Sequence, residues 1–349
     1  MKKIKSILKK HRISASIIGG IVGLAWLFFW PLNALVEAPG AAIDLQPMVK
    51  INNVSDLKKT KFMITAVSIS RAHPISYLQS KFDHSISLEK TDSITGGQDS
   101  DQFNEVQGIY MNSSINNAIY VGYRHANRSV VRDYNGVYVL SLFPKSDFKN
   151  KLQPADLVES INGKRLKQSI EYVNYIKGLP DNAKLTIDFK RDGKNKTVTG
   201  QKKEIVPGFN GVGMTMIDDM TVKTNPEIKV DPGEIGGPSG GLMFALQIYS
   251  QLSQKDYSFK KVAGTGTISP NGDVGEIGGI DKKIIAADRN GAQVFFCPYV
   301  KPTKANLAME ENGKTNYQVA KETAQKYAPN MKVVPVQNFN QAVKYLENN

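Results

Sequence analysis

Six consecutive residues, Gly236-Gly237-Pro238-Ser239-Gly240-Gly241, carry almost no side-chain bulk. A segment of this kind can bend where other residues cannot, and another backbone can approach it closely. The proline sets its end. Directly after it, Leu242, Ala245, Leu246 and Tyr249 recur at helical spacing. Proline is well tolerated in a first helical turn, where its missing N–H costs nothing. Ser239 is therefore expected at a helix N-terminus, where the dipole and unpaired N–H groups favour negative charge. Local sequence alone leaves a plain helix-capping role for Ser239 open as well.

A nucleophilic serine needs a base. The four histidines, His11, His73, His84 and His125, all precede this block, so lysine becomes the natural candidate. A second helix is expected from about Ile280 to Arg289, with Ile280, Ile284 and Ala287 on its apolar stripe. Lys283 falls on that stripe, and Lys282 is expected to be solvated. A lysine facing a core must snorkel, find a partner or lose its proton. A neutral amine can act as a general base.

Composition narrows the alternatives. The formal net charge is +13, but Lys2, Lys3, Lys5, Lys9, Lys10 and Arg12 supply six of those charges. No basic stripe interleaved with aromatics follows, so nucleic acid is not an expected partner. The single cysteine, Cys297, excludes an internal disulfide. It sits in the apolar run Val294–Pro298 and reads as a buried, inert thiol. No metal is expected, because no second His or Cys stands at zinc spacing.

From Ile13 to Val36 there is no charged residue. Such a run is long enough to cross a bilayer core. The basic residues precede it, which would leave the N-terminus in the cytoplasm and the rest of the chain outside. Trp26 and Trp30 suit an interfacial position. A cleaved signal segment would show the same charge order, and a buried core helix is a further alternative. Pro39-Gly40 is expected to end the helix.

Phe62–Ile69 has strand character. Between residues 114 and 203 a compact unit is expected, opening with Ala118–Val121. Strands follow at Gly136–Leu142 and Leu157–Ile161, the second closed by the Asn162-Gly163 turn. A helix over Ser169–Ile176 should face inward through Ile170, Val173 and Ile176. A hairpin then turns at Asp192-Gly193. This order resembles a PDZ domain, with Ala155-Asp156 where that family has Gly-Asp. PDZ domains take an extended peptide as an added strand; the resemblance implies that backbone N–H groups near Gly136 and Val137 would receive it.

In the C-terminal part, Gly237–Gly241, Gly264-Thr265-Gly266 and Gly275–Lys283, followed by Ala286-Ala287 and Gly291-Ala292, look like the proteolytic domain of Lon peptidases. Together with the leading apolar run and the PDZ-like unit, the chain is similar to membrane-anchored Lon-like serine proteases of Gram-positive bacteria. The implied fold class is α+β: an N-terminal transmembrane helix, a β-rich PDZ-like domain and a Lon-type α/β proteolytic domain. The implied divisions are a cytoplasmic basic segment at 1–12, the transmembrane helix at 13–36, an extracytoplasmic β-containing region at 37–113, the PDZ-like domain at 114–203 and the proteolytic domain at 204–349. Ser239 would be the nucleophile and Lys283 the base. Thr265 would orient the lysine, and Gly237 and Gly240 would serve the oxyanion or the substrate backbone. Thr265 as an ordinary strand residue is the alternative. The chain departs from Lon at Gly236, where an acidic residue is usual, and at Thr267, where Lon has glutamate.

The resemblance implies a peptide or protein substrate and no cofactor. A homo-oligomer is implied by the resemblance alone. No Gly-x-x-x-x-Gly-Lys-Ser/Thr phosphate loop occurs, so no nucleotide is expected and cleavage should be ATP-independent. An anchored PDZ-type scaffold with an inactive protease-like domain is the rival reading. A tail-specific processing protease also joins a PDZ domain to a Ser-Lys pair, but its pattern fits the glycine-rich blocks less well.

Overall fold

The computed structural model describes the backbone of residues 2–308, 310 and 313–349, and side chains from residue 16 onward. The basic segment expected at 1–12 therefore lies outside the described side chains. The chain divides into two compact units, residues 1–40 with 67–97 and residues 41–66 with 98–349.

In chain order the elements begin with α1 (Lys2–Phe29), β1 (Ala34–Asp44), β2 (Val49–Ile51), β3 (Lys61–Arg71), α2 (Pro74–Phe82), β4 (Ser87–Lys90) and α3 (Thr91–Thr95). Next come α4 (Ser100–His125), β5 (Ser129–Leu142), β6 (Leu157–Ile161), α5 (Ser169–Lys177), β7 (Lys184–Arg191), β8 (Lys194–Gln201), β9 (Lys203–Val206), β10 (Phe209–Gly211), β11 (Met214–Asn225) and β12 (Ile228–Val230). The C-terminal part contains α6 (Gly241–Ser253), β13 (Lys261–Gly264), β14 (Thr267–Ile268), β15 (Val274–Gly275), α7 (Ile280–Arg289), β16 (Val294–Pro298), α8 (Lys304–Leu307), α9 (Asn316–Tyr327), β17 (Lys332–Val336) and α10 (Phe339–Asn348).

The smaller unit corrects the expected transmembrane helix. The uncharged run does not form one helix: α1 ends at Phe29, and Ala34–Val36 enter β1, where they pair with Leu88–Lys90 of β4. Pro39-Gly40 lies inside that strand rather than ending a helix. The uncharged part of α1 is thus Ile13–Phe29, which at ~1.5 Å per residue falls short of a hydrocarbon core of about 30 Å. Among the described residues no helix is long and apolar enough to cross a membrane. The single-pass anchor, and the extracellular placement that depended on it, are not supported.

In the larger unit, β3, β13, β16 and β17 run parallel, in the order β17-β16-β13-β3. Alternation along the strands serves two apolar layers. Val262, Val294 and Phe296 join α4, α6 and α10 on one face. Ala263, Phe295 and Cys297 join α7 and α9 on the other. Helices on both faces of a parallel sheet are what strands buried on both sides require. Helix α6 is buried from Gly241 to Leu252, so its apolar residues surround the axis rather than form one stripe.

Residues 118–121 lie within α4, and Ile115, Ala118, Ile119 and Val121 pack in the same core as α6. The PDZ-like part is a five-stranded sheet of order β11-β5-β6-β7-β8. Its core holds Val137, Val139, Ile161, Tyr172, Leu185 and Ile187. Helix α5 turns Tyr172 and Ile176 inward, while Ile170 is exposed. Strand β11 continues the sheet to Asn225 through an antiparallel ladder with β5 from Met214↔Leu142 to Asn225↔Ser129, interrupted by two bulges.

Candidate active site

Three side chains converge beyond the C-terminal end of β13. Ser239 comes from a short 3₁₀ turn, Pro238–Gly240, which leads into α6 on one face of the parallel sheet. Lys283 comes from α7 on the other face. Thr265 follows the last residue of β13, where the chain leaves the sheet. Crevices beyond the carboxyl ends of parallel strands are where α/β folds gather ligand-binding residues.

Lys283 Nζ is 2.7 Å from Ser239 Oγ and 3.1 Å from Thr265 Oγ1. Thr265 Oγ1 donates to the Ser239 carbonyl at 3.0 Å. Its one proton is thereby used, so toward Lys283 the hydroxyl can only accept. One amine N–H is directed at Thr265, and the nitrogen also lies within hydrogen-bonding reach of the Ser239 hydroxyl. Thr265 is fully buried and Lys283 is 4% exposed, whereas Ser239 is half-buried at the surface of the site. A reagent can thus reach the hydroxyl while the amine stays enclosed. Lys282, expected to be solvated, is also buried and pairs with Asp281 at 2.8 Å.

The backbone of the serine turn is held from several directions. Gly237, at φ 86°, donates its N–H to the Gln107 carbonyl at 2.9 Å. That N–H is committed to α4, so Gly237 does not offer it to an oxyanion. The Pro238 carbonyl accepts from Ser114 Oγ at 2.8 Å. The Ser239 carbonyl accepts from Gly266 N at 2.8 Å as well as from Thr265. Gly240 is buried, and a Cβ there would lie 2.2 Å from Ile64 Cδ1. Its small size serves close packing on β3. The N–H groups of Ser239 and Gly240 head the helix and have no intrahelical acceptor.

Gln107 and Ser114 were not singled out from sequence. They lie 132 and 125 residues before Ser239, and the apolar stretch after Ser114 reads equally well as a strand. Glu276, ahead of α7, carries a carboxyl pushed up to about 7, chiefly by burial and then by Glu310. Its Oε1 accepts from Asn316 N at 2.8 Å. Burial, with Glu276 nearby, also pushes the Cys297 thiol up. Among the described residues no group of His, Cys, Asp and Glu could hold a metal ion.

Gly136 and Val137 are not at a sheet edge. Val137 is fully buried and pairs with Asp218 of β11 on one side and Val158 of β6 on the other. A Cβ on Gly136 would lie 2.3 Å from the Val158 carbonyl. No strand can be added there, because both ladders are filled. The edges of this sheet are β11 and β8. Beside β11, Phe143, Val173, Ile176, Ile205, Phe209 and Met216 line an apolar pocket of about 110 Å³. The loop entering β11 bends through Gly208 and Gly213, at φ 78° and 69°.

Residues 213–345 match the family of the Lon protease (S16) C-terminal proteolytic domain. The Lon protease of Mesomycoplasma hyopneumoniae is 44% identical over 71 residues, 20% of this chain and 8% of that protein. The Lon protease of Metamycoplasma arthritidis is 28% identical over 161 residues, 43% of this chain and 17% of its own length. Lon protease 1 of Bdellovibrio bacteriovorus is 33% identical over 115 residues, 30% of this chain and 14% of its own length. The matches therefore span less than a fifth of these relatives. Among solved structures, the PDZ domain of an SdrC-like protein from Listeria monocytogenes is 29% identical, covering 24% of this chain and 90% of that domain at a TM-score of 0.23. The second domain of a Listeria protein is 32% identical, covering 25% and 88% at a TM-score of 0.23. Residues 213–345, under half of this chain, thus resemble the Lon protease (S16) C-terminal proteolytic domain.

Proposed function

We propose that the chain is an ATP-independent serine endopeptidase that uses Ser239 and Lys283 as a dyad. The observation that carries this reading is the 2.7 Å separation of Lys283 Nζ and Ser239 Oγ, with the amine enclosed and the hydroxyl accessible. The neutral amine takes the Ser239 proton as Oγ bonds to the scissile carbonyl carbon. N–H groups at the helix start hold the oxyanion. The ammonium then returns its proton to the leaving nitrogen as the C–N bond breaks. Water, deprotonated by the same amine, cleaves the resulting ester and restores Ser239. Thr265 keeps the amine turned toward the hydroxyl throughout.

The substrate class is peptides and unstructured protein segments. This sequence has no phosphate loop with which to drive unfolding of a stable domain. A peptide would reach the PDZ-like part along the outer edge of β11, with an apolar side chain in the pocket beside α5; the edge position of β11 and the glycine bends at its entry support this. The deciding experiment is cleavage of a denatured protein by the purified chain without nucleotide. Ser239→Ala and Lys283→Met should each lower the rate by at least about a thousandfold with near-native circular dichroism. Lys283→Arg should not restore it, because guanidinium stays charged. Wild-type turnover in Lys283→Met would overturn the base assignment.

A further inference from the structure

Ser114 lies on α4, outside the region that matches the Lon family and 125 residues before the serine it approaches. Its side chain is 4% exposed, and its hydroxyl donates to the Pro238 carbonyl at 2.8 Å. A serine inside a helix ordinarily bonds back to its own helix or points to water. Here the proton is sent across to another element. Gly241 permits the approach: a Cβ there would lie 2.7 Å from Ser114 Oγ.

The consequence follows from peptide geometry. The Pro238 carbonyl and the Ser239 N–H belong to one planar trans peptide unit and point in opposite directions. Holding the oxygen toward α4 turns the N–H away from α4. The next unit is treated the same way: Gly266 N and Thr265 Oγ1 hold the Ser239 carbonyl, and this fixes the Gly240 N–H. The Gly236–Gly237 unit is tied through Gly237 N to the Gln107 carbonyl. The Pro238–Ser239 and Ser239–Gly240 peptides are thus each clamped by groups from elsewhere in the fold. The first of the two helix-heading N–H groups owes its direction to Ser114.

We infer that Ser114 is a positioning residue for proteolysis: its hydroxyl orients the Pro238–Ser239 peptide so that the Ser239 N–H faces the developing oxyanion. The inference rests on Ser239 being the nucleophile. Ser114 does not touch substrate. It acts on the step where negative charge appears on the carbonyl oxygen, so its removal should lower kcat and spare ground-state binding.

The test uses the full chain with a fluorogenic peptide and a peptide boronate, whose tetrahedral adduct on Ser239 places an oxygen in the oxyanion position. Ser114→Ala should lower kcat about tenfold or more, leave KM within about twofold, weaken the boronate by a similar factor and keep the pH–rate limb of the lysine base in place. Ser114→Thr, which retains the hydroxyl, should recover most of the loss. If Ser114→Ala does not fold, Ser114→Cys carries the same comparison, since it keeps the volume and weakens the donor. Unchanged kcat, a loss confined to KM, or a shifted pH limb would overturn the inference. Ser239→Ala separates it from the reading beneath it. If that control retains activity, both fall. If it is inactive while Ser114→Ala turns over normally, only the role of Ser114 falls.

Discussion

Glu276 is a carboxyl group placed where a charge is costly. Burial is the larger cause and the Glu310 carboxyl the second; together they hold it near 7 against an ordinary 4.5. The native state therefore keeps a proton that the unfolded chain gives up between those two values. Its stabilising contribution is complete below about pH 4.5 and is lost as pH rises through about 7. Glu276→Gln keeps the shape and removes the titration. Relative to wild type, its melting temperature should rise by about 2–4 °C between pH 5 and pH 8. A difference that stays flat with pH would refute this. The burial of Lys283 was legible without a structure, because it stood out as a charge on the apolar stripe of α7. The elevated carboxyl was not, because it depends on burial and on Glu310, which surround it only after folding. Lys282 misled for the same reason: a one-position rotation around a helix predicts solvent, but Asp281 and the surrounding fold enclose it.

Helices and strands were readable in proportion to their periodicity. The hairpin through Asp192-Gly193 stands where its turn residues put it, with φ 52° and 70° at the two positions. Helix α4 was hidden because Ala118–Val121 is a short apolar run, and such runs do not distinguish a strand from a buried helix. The strand proposed to receive a peptide differs from the one expected from sequence for a reason of pairing. Gly136 and Val137 have the right composition, but edge status belongs to the sheet order, and β11 and β8, not β5, occupy the edges. The two locations make opposite predictions. Val173→Glu on α5 puts a charge into the apolar pocket and should weaken binding of an apolar peptide about tenfold or more, while the PDZ-like sheet keeps its melting transition. Val137→Glu buries the same charge between two filled ladders and should unfold that sheet. Fluorescence anisotropy with thermal melts distinguishes them, and intact binding in a folded Val173→Glu protein would remove the pocket from consideration.

At the level of the whole molecule, the proteolytic fold is assembled from distant parts of the chain. Strand β3 pairs in parallel with β13, and Met111, Ile115, Ala118 and Ile119 of α4 fill the same core as Leu242, Phe244 and Leu246 of α6. The PDZ-like sheet lies between these pieces in sequence and is joined to them at both ends. β5 follows α4 directly, and Asn116 Nδ2 donates to the Met220 carbonyl of β11 at 2.6 Å. A boundary at residue 204 follows the family resemblance of the C-terminal part, but it removes one face of α6 and one neighbour of β13. Exposing that much apolar surface in a domain of this size costs more than its marginal stability supplies. A fragment of residues 204–349 should therefore be aggregated or molten, with collapsed near-ultraviolet dichroism and no Ser239-dependent cleavage, whereas the intact chain shows one cooperative transition for the catalytic core. Co-expression of residues 204–349 with residues 41–125 should restore soluble material, because the second piece carries β3 and α4. A well-dispersed amide spectrum from residues 204–349 alone would show that α4 and β3 are dispensable.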